Sequence, residues 1–210
     1  MKSDSFHCRF IIQAILGVSL GISLTGCAFT RTPVQVDFSP SITEPLNAAH
    51  KGSLEVGEVK DSRLVTDPNV LMHKANEYGA TSGAYVTAVP VANIFREGLT
   101  KALEQNGFVG SGAEHYVLRA DLQGFGFHAI QNGVFSGGTA KPWLEVRFEL
   151  DNKYTGQPVW HDTFSGQVTD KLSAWDGADG ARIARFFSLA ATDAVKQLVE
   201  DRAFRSYFQQ

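Results

Sequence analysis

Residues 143–152 read Trp-Leu-Glu-Val-Arg-Phe-Glu-Leu-Asp-Asn, and from Leu144 to Asp151 apolar and charged side chains alternate without a break. Such period-two alternation predicts a β-strand with one buried face and one solvated face. A sheet with a solvated face is typically antiparallel. This segment of the 210-residue chain therefore predicts an antiparallel sheet whose other face is covered by helices.

The segments on both sides of this strand complete the predicted fold. Apolar residues at helical spacing predict a helix from Pro90 to Asn106 and a second helix over 178–204. Further strands are predicted at 54–61, at 116–126 and at 159–169. The small, glycine-rich segment 77–85 predicts an ordered loop or an irregular edge. The order of elements predicts an α+β fold, with an antiparallel sheet of about four to five strands and two helices packed on one face.

The first 26 residues have the three parts of a secretory signal peptide, namely a weakly basic start, an apolar region and small residues before a cysteine. The apolar region is short for a bilayer span, which needs ~20 apolar residues. A transmembrane anchor followed by a chance cysteine is the alternative. Leu24-Thr25-Gly26-Cys27 resembles the lipobox of bacterial lipoproteins at all four positions. This resemblance implies cleavage between Gly26 and Cys27 and acylation of the sulfur and the new N-terminus of Cys27.

Acylation would make the membrane a permanent partner, because two acyl chains hold a protein stably in a bilayer. In lipoprotein sorting of the enterobacterial type, an Asp after the acylated cysteine retains the protein at the inner membrane. Ala28 occupies that position in this sequence. For a Gram-negative source, this predicts the periplasmic leaflet of the outer membrane.

Three parts are predicted along the chain: a signal peptide over 1–26, a lipidated N-terminus and tether over 27–50, and one periplasmic α+β domain over 51–210. Three prolines and many small polar residues predict an extended tether. Val34, Val36 and Phe38 alternate, so a short edge strand docked on the domain is an alternative for part of it.

Composition limits the classes of partner and cofactor. Removal of residues 1–26 leaves 17 basic and 21 acidic side chains and a formal charge of −4. Without a basic cluster, this mild acidity argues against nucleic acid and against anionic lipid head groups as partners. The six histidines lack metal-ligand spacing, and the two cysteines are lost with the signal or acylated. We therefore expect no metal, no cofactor and no catalytic residues.

Two groups of residues are candidates for binding. Asp61 and Arg63 flank the end of a predicted strand, beside the segment that contains Asn76 and Tyr78. An ion pair that closes a turn is the simpler interpretation of Asp61 and Arg63. The second group is aromatic and includes Phe127, Phe135 and Trp143 around a glycine-rich hairpin. It predicts either an exposed patch for a partner or a β-bulge that turns the rings inward.

Several short motifs resemble the YajG-type family of small bacterial lipoproteins. They are the lipobox, the strand end Val56-Gly-Glu-Val-Lys-Asp-Ser-Arg63, the loop Asn76-x-Tyr78-Gly79 and the helix end Leu103-x(3)-Gly107-Phe108. The resemblance implies a lipidated Cys27, an envelope location and no assigned catalytic residues. We expect a non-enzymatic outer-membrane lipoprotein that binds an envelope protein or assists envelope assembly or transport. An envelope hydrolase or small-ligand carrier with a site around Asp61, Arg63, Asn76 and Tyr78 is the alternative.

Overall fold

A computed structural model describes residues 29–45, 53–75, 78, 80–110, 115–131, 137–172 and 179–208. These residues form an α+β fold with two sheets and three helices, which confirms the predicted class. The strands are β1 (Thr30–Pro33), β2 (Leu54–Asp61), β3 (Val70–Ala75), β4 (Thr81–Val86), β5 (Tyr116–Gln131), β6 (Gly138–Asn152), β7 (Pro158–Gln167) and β8 (Asp170–Leu172). The helices are α1 (Val91–Gln105), α2 (Gly180–Glu200) and α3 (Arg202–Ser206).

The larger sheet is built on the long antiparallel hairpin of β5 and β6, which pair from Tyr116 opposite Asn152 to Gln131 opposite Gly138. Its strand order is β2-β5-β6-β7, and the short β8 also pairs with β6. β2 runs parallel to β5, so the prediction of a purely antiparallel sheet was wrong at this edge. The parallel pair is possible because a long connection, which contains α1, carries the chain back between the two strands.

A second sheet has the order β1-β4-β3. β4 occupies most of the segment that was predicted as a loop or an irregular edge. The glycine that obscured the strand pattern is required by packing, because a Cβ at Gly83 would overlap Thr30 of the neighbouring β1. β1 pairs parallel with β4, with Thr30 opposite Gly83. The docked edge strand thus lies just before the alternation Val34, Val36, Phe38 that suggested it.

Residues 34–45, which we call the strap, are extended and packed along the helices. Val34, Phe38 and Ile42 are buried. The Phe38 ring stacks on Phe95 of α1 at 5.6 Å between centroids and meets Phe187 of α2 edge-on at 6.2 Å. The described part of the predicted tether therefore contributes Val34, Phe38 and Ile42 to the hydrophobic core.

The C-terminal end of the strap is held by hydrogen bonds. The Asn106 amide donates to the carbonyl of Ile42 over 2.9 Å, and its Oδ1 accepts from the backbone N–H of Glu44 over 2.5 Å. Arg205 donates to the carbonyls of Glu44 and Pro45, each over 3.1 Å. These contacts fix the strap at both the end of α1 and the C-terminal helix α3.

Helices α1 and α2 cover one face of the larger sheet, as predicted. The second predicted helix, 178–204, is broken at Asp201, whose side chain accepts a hydrogen bond from the backbone N–H of Phe204 over 2.7 Å and begins α3. This break turns Phe204 into contact with Phe108 and Trp160. Across the described residues, no helix is both long enough and apolar enough to span a bilayer.

Candidate functional site

Asp61 and Arg63 form a buried ion pair at the end of β2. The Arg63 side chain is 4% exposed and the Asp61 side chain 9%. Arg63 donates from Nε and Nη2 to the Asp61 carboxylate over 2.7 and 2.6 Å, and from Nη1 and Nη2 to the carbonyls of Leu71 and Val70 over 2.9 and 3.1 Å. Four of the five guanidinium N–H groups thus have protein acceptors. The pair joins the end of β2 to the start of β3.

The three described residues of the predicted ligand site, Asp61, Arg63 and Tyr78, are not all brought together by these contacts. Arg63 contacts the first two residues of β3, whereas Tyr78 follows the last residue of that strand. At ~3.3 Å per residue, the five steps of β3 separate the two ends by about 17 Å. Tyr78 is 86% exposed, and Asn76 lies outside the described residues.

A β-bulge in β5 places Phe127 and Trp143 of the predicted aromatic group on opposite faces of the larger sheet. The register of β5 against β6 shifts between Leu122 and Gly124. Beyond the shift, Phe125 and Phe127 face the helices, and their ring centroids lie 5.3 Å from Phe187 and 5.1 Å from Phe186. The alternative of a bulge therefore describes this strand, because burial of two phenylalanines under α2 outweighs one lost ladder pair.

Trp143 lies on the opposite face of the sheet from Phe127. It pairs with Gly126, next to the pair of Phe127 and Pro142. Its indole covers two glycines of β5, because a Cβ on Gly124 would lie 2.8 Å from Trp143 Cζ3 and one on Gly126 would lie 3.1 Å from Cζ2. Phe135, like Gly26 and Cys27, lies outside the described residues. Phe127 and Trp143 therefore do not share one aromatic patch.

The face of the larger sheet that carries Trp143 is otherwise a ladder of alternating charges. On this face, Arg119 is opposite Glu149, and Asp121 is opposite Arg147. An open depression of about 280 Å³ lies across the ladder, and it is lined by Glu58, Lys60, Arg119, Ala120, Asp121, Arg147 and Glu149. The alternation over 144–151 predicted that the charges of β6 face solvent, whereas the charges of both signs that β2 and β5 place beside them were not predicted. The alternation of Arg119 and Asp121 with apolar residues was the sequence signal for the charges on this face of β5.

Two carboxylates of this face are partly withdrawn from water. Asp151 is 3% exposed, and its Oδ2 lies 2.9 Å from Nη1 of Arg119 in an ion pair without the alignment of a hydrogen bond. Oδ1 of Asp121 is buried and accepts no hydrogen bond from the described residues. A buried charge is costly unless it is paired, and Arg119 supplies that pairing for Asp151. The face is thus an ordered surface of mixed charge.

Two other depressions lie beside α1. One has about 410 Å³ and runs between α1 and residues 34–39 and 87–89; the other has about 610 Å³ and lies on the outer face of α1. Asp61, Arg63 and Tyr78 line none of the three depressions. Within the described part of the chain, no group of three or more His, Cys, Asp or Glu side chains is placed to hold a metal ion.

No protein-family model matches the chain, and no curated protein matches it. Among solved structures it is similar to XCC0632 of Xanthomonas campestris, of the family model DUF330, with 18% identity over 85% of this chain and 97% of that chain and a TM-score of 0.54. It is also similar to a Helicobacter pylori protein named as a homolog of neuraminyllactose-binding hemagglutinin, with 9% identity, 82% and 98% coverage and a TM-score of 0.50. A protein of Caulobacter crescentus named as a lipoprotein has 19% identity, 55% and 81% coverage and a TM-score of 0.40. The first two likenesses show a shared fold.

Proposed function

We propose that this chain is a non-enzymatic lipoprotein of the cell envelope, anchored by acyl chains on Cys27 in the periplasmic leaflet of the outer membrane. The observation that carries the proposal is the distance along the chain between anchor and domain. The lipobox ends at Cys27, and β1, which pairs with β4, begins three residues later, at Thr30. An acyl anchor at that position fastens a folded domain directly to a bilayer.

The same proposal assigns the charged face of the larger sheet to a protein partner. α1 and α2 cover the opposite face, whereas on this face the side chains of Arg119 and Arg147 are 55% and 47% exposed among the described residues. Its positive and negative groups alternate over β2, β5 and β6, and complementary charge patterns of this kind give specificity and orientation between proteins. Half-buried Trp143 at its edge adds an aromatic group of the type that is enriched in protein interfaces.

A hydrolase or small-ligand carrier around Asp61 and Arg63 has less support, because these side chains are saturated by each other and by backbone carbonyls. The fold shared with the DUF330 protein does not decide between these functions, because one fold hosts many activities. The YajG-type resemblance and the outer-membrane location stay predictions.

Two measurements in the source organism, or in a Gram-negative host, test the proposal. Mass spectrometry of the mature protein is expected to find cleavage before Cys27 and acyl chains on that residue. A photo-crosslinking amino acid is then placed at Arg147, on the charged face, or at Lys101, which is exposed on α1 and serves as the matched control. Adducts with one defined envelope protein are expected from position 147 and not from 101. A thiol without lipid, or equal adducts from both positions, would contradict the proposal.

A further inference from the structure

We infer that one end of the domain, the end that carries Phe29 and Tyr78, rests on the membrane surface with both rings in the headgroup region. The inference deepens the proposed function and rests on the acylation of Cys27. It concerns which surface of the domain faces the lipid.

The pairing of the smaller sheet places Phe29 and Tyr78 at the same end. Thr30, the first residue of β1, is opposite Gly83 of β4. Ala75, the last residue of β3, is opposite Thr81, the first residue of β4. Phe29 therefore lies where β4 begins, and Tyr78 lies in the turn that joins β3 to β4. Because neighbouring strands are ~4.8 Å apart, the two residues lie close together at one end of the three-stranded sheet.

The position of the anchor brings this end to the bilayer. A trans peptide chain spans at most ~3.6 Å per residue, so the two steps from Cys27 to Phe29 reach about 7 Å. β1 and the strap cannot lengthen this reach, because β1 is paired with β4 and the strap is packed between the helices. Acyl chains on Cys27 therefore hold Phe29 within the depth of the lipid headgroups.

The side chains at this end suit that environment. Phe29 is 53% exposed and Tyr78 86% exposed, although both are aromatic. The described residues beside them, Thr30, Ala80 and Thr81, are uncharged, so contact of these three residues with lipid takes no charge out of water. Aromatic rings are enriched at the membrane–water interface, where an apolar body and a polar edge are both satisfied.

A further exposed apolar residue, Ile130, lies toward the same end. Val34 contacts Gly180, the first residue of α2, since a Cβ there would lie 2.7 Å from Val34 Cγ1. Six residues along α2, Phe186 packs on Phe127 of β5. Six helical residues rise about 9 Å, and the three strand residues from Phe127 to Ile130 rise about 10 Å. The start of the strap is therefore level with the end of the long hairpin, where Ile130 is 53% exposed.

The opposite end of the domain offers a matched control. Tyr154 is 72% exposed, in the turn between β6 and β7, and its ring lies 5.6 Å from His115, just before β5. It has the same side chain as Tyr78 and lies at the other end of the hairpin. The mature chain has no cysteine except Cys27, whose sulfur is acylated in the proposed form. Single cysteines at 78 and at 154 can therefore each be labelled alone.

The test uses the full mature lipoprotein with Tyr78→Cys or Tyr154→Cys, labelled with an environment-sensitive fluorophore. Each protein is reconstituted in vesicles of phosphatidylethanolamine and phosphatidylglycerol that contain a phospholipid with a spin-label quencher. The expected result is quenching several-fold stronger at 78 than at 154, with emission shifted to the blue at 78. Thr81→Cys, at an exposed position of the same end, gives an independent reading if labelling at 78 disturbs the turn.

Equal quenching at both ends, or stronger quenching at 154, would overturn the inference. Mass spectrometry of the same samples separates this outcome from failure of the proposed function. If Cys27 carries acyl chains and 78 and 81 are not quenched, the orientation is wrong and the anchor stands. If Cys27 carries no lipid, the proposed function itself is wrong, and the inference falls with it.

Discussion

The ring of Phe38 occupies the space beside Gly98 of α1 in which any Cβ at position 98 would stand. Because residue 98 has no Cβ, the strap can pack closely between α1 and α2, where Phe38 is buried. The glycine is thus required by close approach and not by a turn, because it lies in the middle of a helix.

The first prediction concerns this contact. Gly98→Ala favours an isolated helix by ~1 kcal/mol, but overpacking of a core costs ~1–3 kcal/mol. We expect a net loss in the free energy of unfolding, measured by urea denaturation, and faster proteolysis of the strap. With Phe38→Ala in the background, the two ring contacts are gone and the overlap with the carbonyl oxygen of residue 38, 2.7 Å from the added Cβ, stays, so the loss caused by Gly98→Ala is expected to be smaller. An equal loss in both backgrounds would refute the packing argument.

The second prediction concerns the buried ion pair of Asp61 and Arg63. Arg63→Met leaves the Asp61 carboxylate buried without its partner, and removal of one member of a buried pair costs ~3–5 kcal/mol. The carbonyls of Val70 and Leu71 also lose their donors. We expect the midpoint of urea unfolding to fall sharply, and Asp61→Asn in the same chain to restore part of the loss. Acylation of Cys27 should be unchanged. A small effect on unfolding would contradict the structural role given to this pair.

The third prediction concerns pH. A hydrogen bond from Arg31 and then one from the backbone of Asn69 hold the pKa of Asp67 below its ordinary value. The lowered pKa means that the contact between β1 and Asp67 stabilises the fold above the ordinary aspartate pKa of ~3.9. This contribution is lost as the pH falls through the lower pKa of the folded state. Titration of the carboxyl by NMR is expected to show the shift, and Arg31→Ala should bring the pKa of Asp67 back toward its ordinary value.

The fourth prediction concerns sorting. Ala28→Asp is expected to move the lipoprotein from the outer to the inner membrane of a Gram-negative host, because Asp after the acylated cysteine is the retention signal in enterobacterial sorting. Ala28→Ser serves as the control and should leave the protein in the outer membrane. Density-gradient separation of the two membranes measures the change. An unchanged distribution of the Asp variant would show that another feature directs this chain.

Much of the fold was predictable because it depends on local periodicity. The alternation from Leu144 to Asp151 identifies β6, and the apolar stripe after Pro90 identifies α1. The direction of β2 was not predictable in the same way, since parallel and antiparallel neighbours present the same pattern of side chains. The smaller sheet was missed for a different reason. β4 contains Gly83 to admit β1, and such a glycine weakens the strand pattern.

The candidate site was less predictable than the fold. Asp61 and Arg63 are near each other in sequence, so their ion pair could be proposed from spacing alone. The charged face combines β2, β5 and β6, which are distant in sequence, and its depression depends on strand order. The positions of Phe127 and Trp143 on opposite faces depend on one extra residue in β5, and a bulge leaves no clear mark in composition.

The parallel pairing of β1 with β4 determines how the domain would bear a mechanical load applied through an anchor at Cys27. A pull on the chain at Phe29 is directed along β1, so it loads the β1–β4 ladder in shear, and its hydrogen bonds share the force. A pull across the ladder would break them one after another. The backbone N–H of Val34 extends the ladder by donating to the carbonyl of Val86 over 2.8 Å. If Cys27 is acylated as proposed, a force that draws the domain away from the bilayer would therefore load the β1–β4 ladder in its more resistant direction.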